Sequence, residues 1–292
     1  MAEKHSGMRF AKLQATGNDF VLIDLISTPW PQADWPHLAR AMCHRRFGVG
    51  SDGLILVLKS DSADFRMRMF NPDGSEAEVC GNGLRCFARY VVDSGLVAKG
   101  SEIAIETAAG VKKVKSLDGG SRFRVDMGRP KFRAEEIPVA VVAERTPIVD
   151  YKVRAGGRDL LLSFVSMGNP HGVCFVDDVA GFPLLEVGPM VEHDRLFPHR
   201  LNFEVARVVS RKEIQARVWE RGAGETLSCG SGACAVAVVA QLHGYVDSPV
   251  EVVVPGGRLG LEWDGSGEVF LSGPAETVFT GYWPEDSLLE ER

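Results

Sequence analysis

Two segments of the sequence carry the same chemistry. Cys80 is followed by Gly81-Asn82-Gly83, and Cys229 by Gly230-Ser231-Gly232. Each Cys comes after a strand-like run, ending at Asn71 or Glu220, and a Gly-containing loop. Each precedes apolar residues at helical spacing, from Gly81 to about Val92 and from Gly230 to Gln241. The pattern predicts, twice, a thiol at the start of a helix. Unpaired N–H groups and the positive dipole end favour anions there. They predict a thiol pKa below the free value of ~8.5 and a backbone cradle for a carboxylate. Glycine permits the close approach. Cys43, Cys86, Cys174 and Cys234 lack this context, and Cys86 and Cys234 read as thiols packed inside helices.

The two segments align without gaps, since Cys80 and Cys229 stand 149 residues apart. Arg68, Glu76, Cys80, Gly81, Gly83 and Ala88 match Arg217, Glu225, Cys229, Gly230, Gly232 and Ala237, and Phe70 faces Trp219. Gly17-Asn18 echoes Gly168-Asn169 at an offset of 151. Shared strand-to-helix grammar alone would place identities on core positions. They cluster instead on Cys-Gly-x-Gly, which points to duplication. Two such thiols on opposite faces of a bound molecule would invert a carbon acid, one removing a proton and the other returning one. Helix N-termini aimed at the carboxylate would stabilise the developing charge, and no cofactor is needed.

Strand-like runs dominate the elements that must position these thiols. They include RFAKLQ (9–14), FVLIDL (20–25), LILVLK (54–59), FRMRMFN (65–71), IAIET (103–107), VKKVKSL (111–117) and RFRVDMG (122–128). LLLSFVSM, GVCFVD, FEVARVVS, EIQARVWE, VEVVVP, RLGLEW and EVFLSG follow the same style, and a further helix is predicted at His37–Arg46. Each half is thus many strands around one prominent apolar helix. Strand and helix do not alternate, which argues against a doubly wound parallel sheet. A length of 292 residues suggests two domains, with a linker near Gly128-Arg129-Pro130.

A net charge of −6 without a basic run disfavours nucleic acid and anionic membranes as partners. MAEKHSGMRF lacks an apolar signal core, and the longest apolar stretch (233–240) is too short to span a bilayer, so a cytoplasmic location is expected. Six cysteines are too sparse for a disulfide scaffold and read as thiols. Gly48–Gly53 matches a dinucleotide fingerprint, but it follows a helix and precedes a strand, the reverse of the required order. Cys80/Cys86 and Cys229/Cys234 fit zinc spacing poorly. A Cys80–Cys229 disulfide would be an inactivating oxidation. Judged singly, Asn18, Asn71 and Asn169 read as turn formers and Glu220 with Arg221 as a surface pair. Judged beside two matched Cys elements, they read as a site.

At KLQATGNDFVLID, NPDGSEAEVCGNGLRC, GNPH (168–171), NFEVARVV (202–209) and ERGAGETLSCGSGACA the chain resembles the diaminopimelate epimerase family over nearly its whole length. The resemblance implies stereoinversion of LL-diaminopimelate to meso-diaminopimelate without pyridoxal phosphate, any other cofactor or a metal. It implies an α+β fold of two pseudo-symmetric domains, each an antiparallel barrel-like sheet wrapped around a central helix. These would be residues 1–128, rejoined by about 275–292, and residues 129–274. Cys80 and Cys229 would be the catalytic acid/base thiols. Gly81, Asn82, Gly230 and Ser231 would cradle the reacting carboxylate. Asn18, Asn71, Asn169, Asn202, Glu220 and Arg221 would hold the remaining substrate groups, with Arg221 as a fork for the distal carboxylate. His171 and Glu220 would tune the thiols. A homodimer is expected. Proline or hydroxyproline epimerase is the alternative within the same chemistry. Two positions depart from the family pattern: Gly53, where many members have Gln, and Phe279, where some have Tyr at the dimer contact.

Overall fold

The computed structural model describes residues 7–30, 33–141 and 145–284. The chain divides into two compact units, one ending at Val125 and resuming at Gly273, the other Asp126–Ser272. The first contains β1 (Gly7–Ala15), β2 (Asn18–Asp24), α1 (Trp35–Cys43), β3 (Gly53–Leu58), β4 (Phe65–Phe70), β5 (Glu76–Ala77), α2 (Gly81–Asp93), β6 (Glu102–Thr107), β7 (Gly110–Leu117) and β8 (Arg122–Asp126). The second contains β9 (Tyr151–Ala155), β10 (Arg158–Ser166), β11 (Pro170–Phe175), α3 (Leu184–Glu192), β12 (Asn202–Ser210), β13 (Glu213–Glu220), β14 (Gly224–Thr226), α4 (Gly230–Leu242), β15 (Val250–Val254), β16 (Gly257–Glu262) and β17 (Phe270–Pro274). The last strand, β18 (Glu276–Pro284), pairs antiparallel with β1 and so returns to the first unit.

Both units have the same connectivity. In the first, β1–β2 is antiparallel, β2–β3 parallel, β3–β4 antiparallel, β4–β6 parallel and β6–β7 antiparallel. In the second, β10–β11, β11–β12, β12–β13, β13–β15 and β15–β16 repeat that order of senses. Each sheet is therefore antiparallel apart from two parallel ladders. In the first unit β1, β2, β3, β7 and β18 touch α2, and in the second β10, β11, β12, β13, β15 and β16 touch α4. The sequence of α4 explains its position, for Ala233 through Ala240 are small or β-branched apolar residues buried on every side. In α2 the buried apolar set is Leu84, Cys86, Phe87, Ala88, Val91 and Val92, and Asn82 and Arg85 are buried with it.

α1 begins where Asp34 accepts the His37 N–H at 3.0 Å and Pro36 sits in the first turn. It ends at Cys43, short of the predicted Arg46, because His44 turns extended and its ring accepts the Arg46 and Phe47 N–H groups. α3 was not predicted. Gly188 and Pro189 break its helical pattern in the sequence, yet Gly188 is what lets it lie on Trp219, whose ring would be 2.5 Å from a Cβ there. Among the described residues no helix is long and apolar enough to cross a membrane.

Candidate active site

In the first unit the chain reverses after β4 through residues 71–75, with Gly74 at φ 86°. Asn71 donates its N–H to the Ser75 carbonyl (2.8 Å) and its side-chain amide to Ser75 Oγ (3.0 Å). Glu76 then receives Arg68 in a two-point pair at 2.8 Å each. Cys80 caps α2 with an extended backbone, its sulfur accepting the Gly83 N–H at 3.5 Å. The thiol also donates to Asn18 Oδ1 (3.8 Å), which accepts the buried Asn82 amide as well (3.1 Å). Asn82 Oδ1 in turn accepts from the fully buried Arg85 at 2.9 Å. The structure thus joins Asn18, Cys80, Gly81 and Asn82 at one helix start, whereas these bonds of Asn71 go to its own turn.

The second unit repeats the device. Glu225 receives Arg217 at 2.7 and 3.1 Å. Cys229 caps α4, its sulfur accepting the Gly232 N–H at 3.3 Å and lying 3.4 Å from Ser231 Oγ. Around it stand ionisable side chains, Glu220, His171 and Glu204, where the first unit has Asn71, Phe20 and Ile55. The Glu220 carboxyl meets the Cys229 thiol and accepts the Thr226 hydroxyl at 2.5 Å. His171 Nδ1 lies 2.7 Å from Glu204 Oε1, and both side chains are buried. His171 Nε2 meets Asn169 Oδ1 at 2.9 Å. Asn202 donates to the Pro170 carbonyl (2.8 Å) and accepts the Arg221 N–H (2.9 Å), so it fixes the backbone of the Arg221 turn. The exposed Arg221 guanidinium reaches the His199 carbonyl at 3.1 Å.

The expected thiol pKa is corrected at Cys229. Burial pushes it well above the ordinary value, and the Glu220 and Glu204 carboxylates add to the rise, outweighing the Ser231 and Gly232 hydrogen bonds. Burial likewise raises Glu220, against its bonds to Thr226 and Cys229. All six cysteines are free thiols. Burial raises Cys43 and Cys86, and takes Cys174 to about 11, as suits packed sulfur. No cluster of metal-binding side chains occurs among the described residues.

Two residues escaped the sequence reading. Glu204 is an acid inside the buried strand stretch 202–206, and that misplaced charge was its signal. Glu192 ends the unpredicted α3. It accepts Trp219 Nε1 (2.8 Å) and the Gly222 N–H (2.9 Å), pinning the turn that presents Arg221. Gly53 opens β3 beneath Phe20 and Phe70, where a Cβ would be 3.0 Å from the Phe70 carbonyl oxygen, so a longer residue needs a local shift.

The family model for diaminopimelate epimerase matches residues 10–133 and 163–278. A diaminopimelate epimerase of Moorella thermoacetica is 50% identical over 283 residues, covering 96% of this chain and 100% of the relative. Among solved structures, a phenazine biosynthesis protein of the PhzF family from Bacillus anthracis covers 95% of this chain and 99% of its own, at a TM-score of 0.68 and 17% identity. A hydroxyproline epimerase from Agrobacterium vitis covers 95% and 92%, at a TM-score of 0.65 and 14% identity. These two likenesses show the fold. The sequence match takes in both Cys-capped helices and the residues gathered around them, and by it this chain belongs to the diaminopimelate epimerase family.

Proposed function

We propose that the chain is a diaminopimelate epimerase that inverts one α-carbon of LL-diaminopimelate to give the meso form, an intermediate for lysine and peptidoglycan precursors. The observation that carries this reading is the repeated thiol-capped helix in a chain of this family. In one direction a thiolate takes the α-proton and the other thiol returns one; in reverse Cys80 and Cys229 exchange roles. Gly81, Asn82, Gly230 and Ser231 lie in the first helical turns, where N–H groups hold a carboxylate as its charge grows. Asn18, Asn71, Asn169, Asn202 and Glu220 supply acceptors and donors for the ammonium and carboxylate groups, and Arg221 binds the distal carboxylate. Glu220 and His171 tune the sulfur atoms. The raised Cys229 fits the acid role at rest.

Solvent deuterium incorporation into LL-diaminopimelate tests this. Wash-in by the native chain and its loss in both Cys80→Ala and Cys229→Ala is expected, with melting temperatures little changed. Full activity in either variant overturns the two-thiol scheme. Proline and hydroxyproline assayed alongside decide the alternative substrate class. We further place the enzyme in the reducing cytoplasm, as a homodimer. Exposed Val278, Phe279 and Tyr282 on β18 support self-association. Sedimentation should give twice the 31.8 kDa chain mass, and Phe279→Glu should shift it toward one chain.

A further inference from the structure

The geometry points to Glu204 as the positioning residue of His171, the group that fixes which ring nitrogen carries a proton and anchors the imidazole beside the second thiol. This rests on the proposed role of His171 as a thiol-tuning group, and extends it to a residue with no part in that reading.

The duplication provides an internal comparison. His171 pairs with Asn202 across parallel β11–β12 as Phe20 pairs with Gly53 across parallel β2–β3. Glu204 stands two residues beyond Asn202, as Ile55 stands two beyond Gly53. Phe20 and Ile55 are buried, so the scaffold is satisfied by a ring and an aliphatic chain at these places. The second unit replaces both with ionisable groups, at 0% and 1% exposure and 2.7 Å apart. Placing such a pair where hydrocarbon would pack brings a desolvation penalty that its mutual attraction offsets only with good geometry. A fold needing only stability at that point would have no reason to keep it.

The helix start is built around the same carboxylate. A Cβ on Gly232 would come 2.7 Å from Glu204 Oε1 and 3.4 Å from Cys229 Sγ. The equivalent Gly83 meets Ile55 Cδ1 at 3.3 Å. Glu204 therefore sits against the first turn of α4 as Ile55 sits against α2. Its Oε1 accepts the Nδ1 proton of His171 at 2.7 Å, while Nε2 lies 2.9 Å from Asn169 Oδ1, an amide oxygen that can only accept. Glu220 on β13 and Cys229 on α4 are the other titratable groups whose charges are felt here.

The test uses the full chain, native and as Glu204→Gln, Glu204→Asp and Glu204→Ala, labelled with ¹⁵N-histidine. In the native chain the His171 Nδ1 proton should be retained and slow to exchange. Glu204→Gln, close in shape but uncharged, should release it and cut kcat/KM for diaminopimelate about tenfold or more, as lost orientation does at other imidazole sites. Glu204→Asp should recover part of both effects. Native ring signals and an unchanged kcat/KM in Glu204→Gln would overturn the assignment, as would a lower melting temperature alone. If Glu204→Ala fails to fold, Glu204→Gln still decides. A native chain that exchanges no substrate deuterium sinks the functional reading by itself, while the ring signals still report on the pair.

Discussion

Opposing fields act on the Cys229 sulfur. The helix start and the Gly232 and Ser231 contacts favour thiolate, while burial and two carboxylates favour thiol, and the second set prevails. The expectation drawn from the sequence held the first set alone, because a helix start is visible in Cys-Gly-x-Gly and burial is not. In a Cys80→Ala background, alkylation of Cys229 should therefore be slow at pH 8 and climb steeply above it. Glu220→Gln removes the nearer charge, so it should speed alkylation at fixed pH; an unchanged or slower rate would show that Glu220 does not hold the thiol protonated. At this scale much of the site was legible. Asn18, Cys80 and Asn82 cluster, as do Glu220 and Cys229, and Asn202 reaches the Arg221 backbone. Glu204 was not singled out, since one acid in an apolar strand does not reveal which way it faces.

Elements show a similar division. Strand and helix types followed from periodicity, and α2 and α4 begin at the glycines after each Cys. α3 lay hidden behind Gly188 and Pro189, although shifting Trp35–Cys43 by the interval between Cys80 and Cys229 lands on Leu184–Glu192. That helix supplies Glu192, and Glu192→Ala should destabilise the chain by about 2–3 kcal/mol by stripping the acceptor from Trp219 Nε1 and the Gly222 N–H. It should also raise KM more than it lowers kcat, since the Arg221 turn loosens; urea unfolding and steady-state kinetics measure both. The two capping glycines should respond differently to alanine. Gly83→Ala meets flexible Ile55 and Met69 side chains at 3.3 Å and should be nearly neutral. Gly232→Ala drives a methyl into Glu204 and Cys229, and should cost about 1–3 kcal/mol together with most of the activity.

For the whole molecule, several thiols have been pushed the same way. Cys43, Cys86, Cys174 and Cys229 are raised, in each case chiefly by burial. A thiol whose folded pKa exceeds its unfolded value binds its proton more tightly when folded. Its stabilising contribution is complete below the unfolded value, about 8.5, and is lost as pH climbs past it toward the folded value. The melting temperature should fall above about pH 9, and Cys229→Ala should make that fall shallower; a flat profile in the native chain would contradict the burial of these thiols. Duplication was legible in the Cys-Gly segments and extends to every ladder sense named above. What the sequence could not convey is that Phe20 and Ile55 on one side and His171 and Glu204 on the other are buried at matching positions, because identical residues mark a repeat and unlike ones do not.

The antiparallel seam between β1 and β18, with Gly7 opposite Pro284, bears on how the chain is made. A ribosome releases Asp126–Ser272 as one unbroken stretch, but β1 must wait for the final strand before that edge can close. The usual tendency of leading domains to mature first is then reversed. Nascent chains stalled before Glu276 should already protect α4 from protease while β1 stays open to cleavage.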